Sequence, residues 1–275
     1  METQQNPFSL YDFLGYLIPG LTALYGIVIF YKLGHNVDKA WDILLSYQKL
    51  GKFELYIPFF LLAYILGHIL SFCSSISIEK YSIVTLGYPS KYMLNISPKP
   101  FFDKNHVARS IKRLIGTLLI FPISFSDILI GHYMGFRKLY VKELDTFLTH
   151  TIRTKILQYV YDNYDFNENR INGEEEKDYF RLLYHYVLEN CPSHVSKLNN
   201  YVALYGFTRT LCFVAVCFVW LSIICYLFEL ISAGKIAIIW SVMIPASFIL
   251  YMAFNKFHRR YTLEVLMALS VSYKK

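Results

Sequence analysis

The chain predicts an all-α integral membrane protein with four transmembrane helices and a helical cytoplasmic region. Three observations carry that expectation. The stretches Phe13–Tyr31, Leu55–Ile78, Leu211–Phe228 and Ile236–Phe254 are strongly apolar and contain no Asp, Glu, Lys or Arg. At about 1.5 Å of rise per residue, a helix of roughly 20 residues crosses the ~30 Å hydrocarbon layer. The composition, 55% hydrophobic and 18% aromatic over 275 residues, gives more apolar surface than a soluble domain of this size usually buries. Between the apolar runs the hydrophobic positions recur at helical spacing, and no strand-rich stretch stands out except the short Tyr81–Thr85.

The first span follows an N-terminus, METQQNPFSLYDF, without Lys or Arg. It lacks the basic start of a cleaved signal peptide, so Phe13–Tyr31 is expected to stay as an anchor. Pro19 cannot donate a backbone hydrogen bond and Gly20 adds freedom beside it, which predicts a kink, either static or a hinge that moves on gating. In the second span Ala63, Gly67, Ser71 and Ser75 recur every fourth residue. Such a row lets another helix approach closely. His68, Ser71, Ser74, Ser75 and Ser77 make the same half of the span polar. This face reads either as tight packing with satisfied hydroxyls or as the lining of a water-filled path in an oligomer. An intramembrane histidine is a functional candidate in its own right. The pore or gate candidates are therefore His68, Ser71, Ser75, Pro19 and Gly20.

Residues 79–113 interleave cations with aromatics such as Tyr81, Tyr88, Tyr92, Phe101 and Phe102. Cations along phosphates and aromatic faces under bases are how single-stranded nucleic acid is often held. Lys91, Lys99, Lys104, Arg109, Lys112 and Arg113 are the candidates for binding an anionic ligand; the other reading is contact with anionic lipid. The cluster Lys256, Arg259, Arg260 has the same two readings. A fifth apolar stretch, Leu114–Phe136, contains Pro122, Asp127 and His132. A charge near the centre of a lipid-facing helix costs about 2.5–3.5 kcal/mol on insertion scales. This stretch is expected to be buried against other helices or to lie in the interface, broken at Pro122, with Asp127 and His132 as a polar pair. Arg137–Phe166 then reads as one helix with Val141, Leu144, Leu148, Ile152, Ile156 and Val160 on one face. Glu174–Asn190 reads as a second. A third, capped by Ser193, is expected to run through Arg209 into the membrane without a break.

Cationic segments tend to remain in the cytoplasm. Residues 79–113 set Lys80, Lys91, Lys99, Lys104, Arg109, Lys112 and Arg113 against Glu79 and Asp103, and 255–275 set Lys256, Arg259, Arg260, Lys274 and Lys275 against Glu264. Both lie inside on this reading, and the short connection Glu229–Lys235 lies outside. The chain then divides into an N-terminal transmembrane hairpin (1–78), a cytoplasmic region (79–210), a C-terminal transmembrane hairpin (211–254) and a basic cytoplasmic tail (255–275). Both termini are cytoplasmic.

The sequence offers no catalytic signature. It has no phosphate-binding loop, no GxSxG, no GxGxxG and no HxxH or CxxC spacing. Cys73, Cys212, Cys217 and Cys225 fall in or beside apolar runs, and Cys191 stands in a polar region. No enzyme activity, cofactor or metal is expected.

The opening Tyr11-Asp12-Phe13-Leu14-Gly15-Tyr16-Leu17-Ile18-Pro19-Gly20 is similar to the start of small bacterial membrane proteins of anti-phage operons. The plan of four spans, a helical cytoplasmic part and a basic surface resembles the membrane effector of the Hailong defence system. That resemblance implies a homotetrameric ion channel in the inner membrane, held shut by short single-stranded DNA oligomers from a partner nucleotidyltransferase and opened during infection. The function expected is thus a regulated oligomeric channel or membrane-disrupting effector, gated by a nucleotide or short DNA oligomer. The alternative is a non-conducting membrane-anchored sensor or scaffold that recruits a soluble partner.

Overall fold

The computed structural model describes residues 10–33, 53–96, 101, 107–164 and 179–273. All regular elements among the described residues are helical, and none is a strand. Four stretches are long and apolar enough to cross a membrane: Phe13–Phe30, Ile57–Tyr92, Pro192–Leu227 and Ala233–Ser272. Each contains or overlaps one of the four charge-free runs.

The first begins at Leu10–Asp12, widens into a π-turn over Phe13–Leu17 and continues as helix α1 (Ile18–Leu33). Pro19 accounts for the widening. Its nitrogen has no hydrogen for the Gly15 carbonyl, and the extra residue in the turn relieves the ring clash. Helix α2 (Phe53–Ser74) passes through a second π-turn, Ser75–Glu79, into α3 (Lys80–Leu86). The strand-prone Tyr81–Thr85 is therefore helical. Gly87, at φ 84°, ends α3 in a conformation that a side chain would strain.

Helices α1 and α2 touch backbone to backbone. A Cβ on Gly20 would stand 1.8 Å from the Ala63 carbonyl oxygen, and one on Gly67 would stand 1.9 Å from that of Tyr16. The first half of the small-residue row, Ala63 and Gly67, is thus filled by the chain's own first span, with Ala63 fully buried.

After the short α4 (Pro89–Tyr92), α5 (Val107–Leu119) and α6 (Phe121–Ser126) meet at Ile120. A π-helical stretch, Asp127–Tyr133, extends α6. The axes of Ser110–Leu119 and Phe121–Tyr133 are bent by 94°. The break precedes Pro122, which sits in the first turn of α6 where its missing N–H is harmless. The helix expected over 137–166 is two, α7 (Arg137–Tyr140) and α8 (Thr146–Asn163). Asp145 separates them by accepting a hydrogen bond from the Leu148 amide at 2.8 Å, which makes it an N-cap.

Two very long helices follow α9 (Tyr179–Asn190): α10 (Pro192–Leu227) and α11 (Ala233–Ser272). The cap of α10 is Cys191 rather than Ser193, because Pro192 takes the first helical position. Their tight connection turns on Glu229, at φ 59°, with the Leu230 amide donating to the Cys225 carbonyl at 2.8 Å. The stretch expected as a basic cytoplasmic tail forms nearly half of α11. Its Val265, Leu266, Ala268 and Leu269 are buried against α8, α9 and the start of α10, around Ile152, Leu183, Val187 and Leu198. Cys191 lies in the same core, with its thiol near the Ala268 carbonyl, so its setting is apolar and not polar as the sequence suggested.

The backbone contact between α1 and α2 predicts the outcome of two alanine substitutions. Gly67→Ala must push away the π-turn that leads into α1 and is expected to destabilise by about 1–3 kcal/mol. Gly116→Ala, which meets nothing within 4 Å, is expected to leave stability unchanged or slightly raised. Thermal melts in detergent check this; equal loss in both variants would discount the close approach.

Candidate functional site

Two buried polar clusters mark the level at which the apolar bundle gives way to the helical head formed by α4, α8, α9 and the ends of α10 and α11. In the first, Arg209 of α10 is 7% exposed and reaches across to α2. Its Nε donates to Ser74 Oγ at 3.1 Å and its Nη2 to Ser71 Oγ at 3.3 Å, and its Nη1 pairs with the Glu79 carboxylate. A guanidinium in an apolar bundle is tolerated only when its donors and its charge are met, and the polar half of the second span supplies that set. One turn-level above, Ser82 donates to Asn255 Oδ1 of α11 at 2.5 Å, which ties α3 to the last helix.

The second cluster surrounds Asp127, whose side chain is 0% exposed. Its Oδ1 accepts from Arg137 Nε at 3.1 Å and from the Tyr140 hydroxyl at 2.6 Å. Its Oδ2 accepts from Arg137 Nη2 at 2.5 Å and from the Tyr81 hydroxyl at 3.2 Å. All four acceptor positions of the carboxylate are filled. Gly131 leaves the room for it, since a Cβ there would stand 2.6 Å from Oδ1. Burial, and then the carboxylate, push the Tyr140 phenol above its ordinary pKa, which keeps it a donor. For Arg137, burial works against the charge but the Asp127 carboxylate more than offsets it, and the guanidinium pKa rises. The Tyr251 hydroxyl is buried beside this cluster with no hydrogen-bond partner among the described residues. The expected Asp127–His132 pair does not form. In the π-helical stretch His132 points outward against Tyr133, and Arg137 takes the carboxylate instead.

The other residues singled out in the sequence are dispersed. Pro19 and Gly20 are buried between the first two spans, and Ser71 belongs to the Arg209 cluster. Ser75 bonds back to the Phe72 carbonyl at 2.7 Å. His68 lies on the outer face of α2, stacked on Tyr16 at 3.7 Å between ring centroids and edge-on to Tyr64 at 4.6 Å. Of the cations, Lys91 is half-buried on α4 and Lys112 is exposed on α5. Arg113 donates to the Phe101 carbonyl at 2.6 Å. Arg109 belongs to α5, while Lys99 and Lys104 fall outside the described residues. Among the described residues no group of three His, Cys, Asp or Glu side chains could hold a metal ion.

Comparison with known families, with curated proteins and with solved structures yields no match. The clusters of Arg209 and Asp127 were absent from the sequence reading, because their partners lie far along the chain. The only signals were a lone guanidinium at the edge of the third apolar run and a lone carboxylate inside the fifth.

The second cluster makes an asymmetric prediction. Arg137→Leu strands a fully buried carboxylate and is expected to cost about 3–5 kcal/mol, the range for breaking a buried pair. Asp127→Asn is expected to cost less, since the Arg137 side chain is 28% exposed and can turn to solvent. The two changes combined, Asp127→Asn with Arg137→Leu, should fall well short of the sum. Additive losses across the three variants, measured by unfolding in detergent, would rule out the coupling.

Proposed function

We propose that the chain is a multi-pass protein of the bacterial inner membrane, with both termini cytoplasmic, that assembles as a homo-oligomer into a regulated ion channel or membrane-disrupting effector. The observation that carries this reading is the continuity of α10 and α11, of 36 and 40 residues. Each has one end in the apolar bundle and the other in the head. A ligand that shifts the head therefore moves the bundle directly, with no loop to absorb the displacement. It does so only by binding two states unequally, and a switch from mostly shut to mostly open needs roughly 5 kcal/mol of difference.

A conducting path is expected between copies of the chain. Within one copy, Ala63 and Gly67 of α2 are covered by the first span, and Ser71 and Ser74 by Arg209. The outward His68–Tyr16 stack is the polar feature that a neighbouring copy would meet. A nucleotide or short single-stranded DNA oligomer is the ligand favoured by the cations of residues 79–113. A role in anti-phage defence, a tetrameric state and a partner nucleotidyltransferase are supported by the resemblance of Tyr11–Gly20 and of the overall plan.

A non-conducting scaffold is favoured by a different feature. The head exposes Phe147 at 76% and Tyr161 at 70% along α8, a surface suited to a protein partner. Ion flux separates the two readings. Purified protein in liposomes is expected to pass ions in one ligand state, with His68→Ala altering the flux. Liposomes that stay sealed with and without a short DNA oligomer would exclude the channel. A second measurement addresses the ligand: Lys104, Arg109, Lys112 and Arg113 changed together to Glu should abolish the gel shift of a labelled oligomer, and unchanged affinity would remove this segment from the site.

A further inference from the structure

We propose that Val107–Tyr133 is a re-entrant hairpin, which dips into the bilayer from the cytoplasmic side and returns to it, its outer face covered by the lipid of that leaflet. The cytoplasmic assignment rests on the orientation proposed above; the hairpin itself rests on depth. Its elbow at Ile120 is held by the α10–α11 pair. The Trp220 indole donates to the Leu119 carbonyl at 2.6 Å. The Phe121 ring stands edge-on to Trp220 at 5.5 Å and against Trp240 at 6.2 Å. Trp220 precedes the end of α10, Leu227, by seven residues, and Trp240 follows the start of α11, Ala233, by seven. The elbow thus lies about 10 Å below the external turn, deep in a ~30 Å layer.

Seven residues beyond Ile120 the chain is already on its way back. Asp127 is bound by Tyr81 and Tyr140, whose rings lie 6.0 and 6.1 Å from that of Tyr251. Tyr251 stands eighteen residues into α11, about 27 Å from the external turn. The other arm packs against α3, which continues the inner end of the second span. The arms are tied by Ser124 Oγ donating to the Thr117 carbonyl at 3.0 Å. A broken helix is stable at such depth only if the freed carbonyl finds a donor inside the protein, and Trp220 is that donor.

The occupant of the outer face follows from the same depth. Ile111, Leu114, Ile115 and Leu118 recur at helical spacing on α5 and are all more than half exposed. They continue into exposed Phe125, Ile128 and Leu129 on the second arm and match the exposed Ile65, Ile69 and Phe72 of the second span. A face that starts at the membrane surface and ends near its centre meets acyl chains along its length.

Single cysteines added to the full chain at the exposed positions Lys112, Leu118 and Tyr133 test this, with a membrane-impermeant maleimide applied to either side of sealed vesicles. Peptide mass spectrometry distinguishes the added thiol from the native ones. Lys112→Cys and Tyr133→Cys are expected to react from the same, cytoplasmic face, and Leu118→Cys an order of magnitude more slowly than either. Reaction of Lys112→Cys and Tyr133→Cys from opposite faces would mean a crossing and overturn the hairpin. Leu118→Cys reacting as fast as Lys112→Cys would mean a helix lying on the surface and overturn it equally. Reaction of both ends from the external face would keep the hairpin and sink the orientation. Hydrogen exchange of the unaltered protein in nanodiscs reads the same point without substitution: protection of Gly116–Ser126 is expected, and exchange there as fast as in the exposed turns of α9 would defeat the proposal.

Discussion

Arg209 holds this bundle in register. It projects from the middle of a 36-residue helix into a layer where water is not at hand, and its donors must be met by the chain itself. Ser71, Ser74 and Glu79 meet them from three successive turns of the second span and its π-turn. That requirement fixes the rotation of α2 about its axis. With the serines turned toward α10, Ala63 and Gly67 turn toward α1, and the Gly20 and Gly67 backbones come into contact. The bulky Ile65, Ile69 and Phe72 are left facing outward. A buried ion pair is weak evidence of net stability, but removing one partner is costly, so such pairs choose one arrangement among several that hydrophobic contact alone would allow.

Asp127 makes the same demand of the C-terminal half. Its four hydrogen bonds come from Tyr81 of α3 and from Arg137 and Tyr140 of α7, so the short helices after the second span are drawn against α11 at the base of the bundle. From there α11 runs on into the head, where Tyr273 packs edge-on to Tyr159 at 5.4 Å and its hydroxyl donates to Asp162 at 2.8 Å. His194 and Glu264 join α10 to α11 at 2.7 Å in the same region. The head is thus built on the ends of the two longest helices, with α8 and α9 laid across them.

The legible part of this arrangement was the part set by solvent. Charge-free runs gave the four spans, because the cost of an unpaired charge in hydrocarbon acts on each segment separately. The unbroken passage of α10 through Arg209 was legible too, since nothing between Pro192 and Leu211 breaks a helix. What remained hidden was set by pairing. Asp127 chose Arg137 over the nearer His132 because a π-helical stretch rotates His132 outward. Ser71 looked like a possible pore residue until its partner, 138 residues away, was seen to be a guanidinium. The helical run of 255–272 is masked for another reason: Lys256, Arg259 and Arg260 set its charge, while its periodicity is carried by Val265, Leu266, Ala268 and Leu269.

The outward face of the first two spans leads to the last step. His68 sits roughly 16 Å along the helix from Glu79, near the middle of the apolar layer, and its ring is stacked on Tyr16 at the surface of a single copy. Helix association in lipid gains little from apolar area, since acyl chains are as apolar as leucine, and depends on close packing and on polar groups that find each other. The close packing of α1 and α2 is already used within the chain. What remains for contact between copies is the polar aromatic patch of His68, Tyr16 and Tyr64, surrounded by large apolar side chains. An assembly built there would bring the imidazoles together, where hydration or a neighbouring phenol can satisfy them.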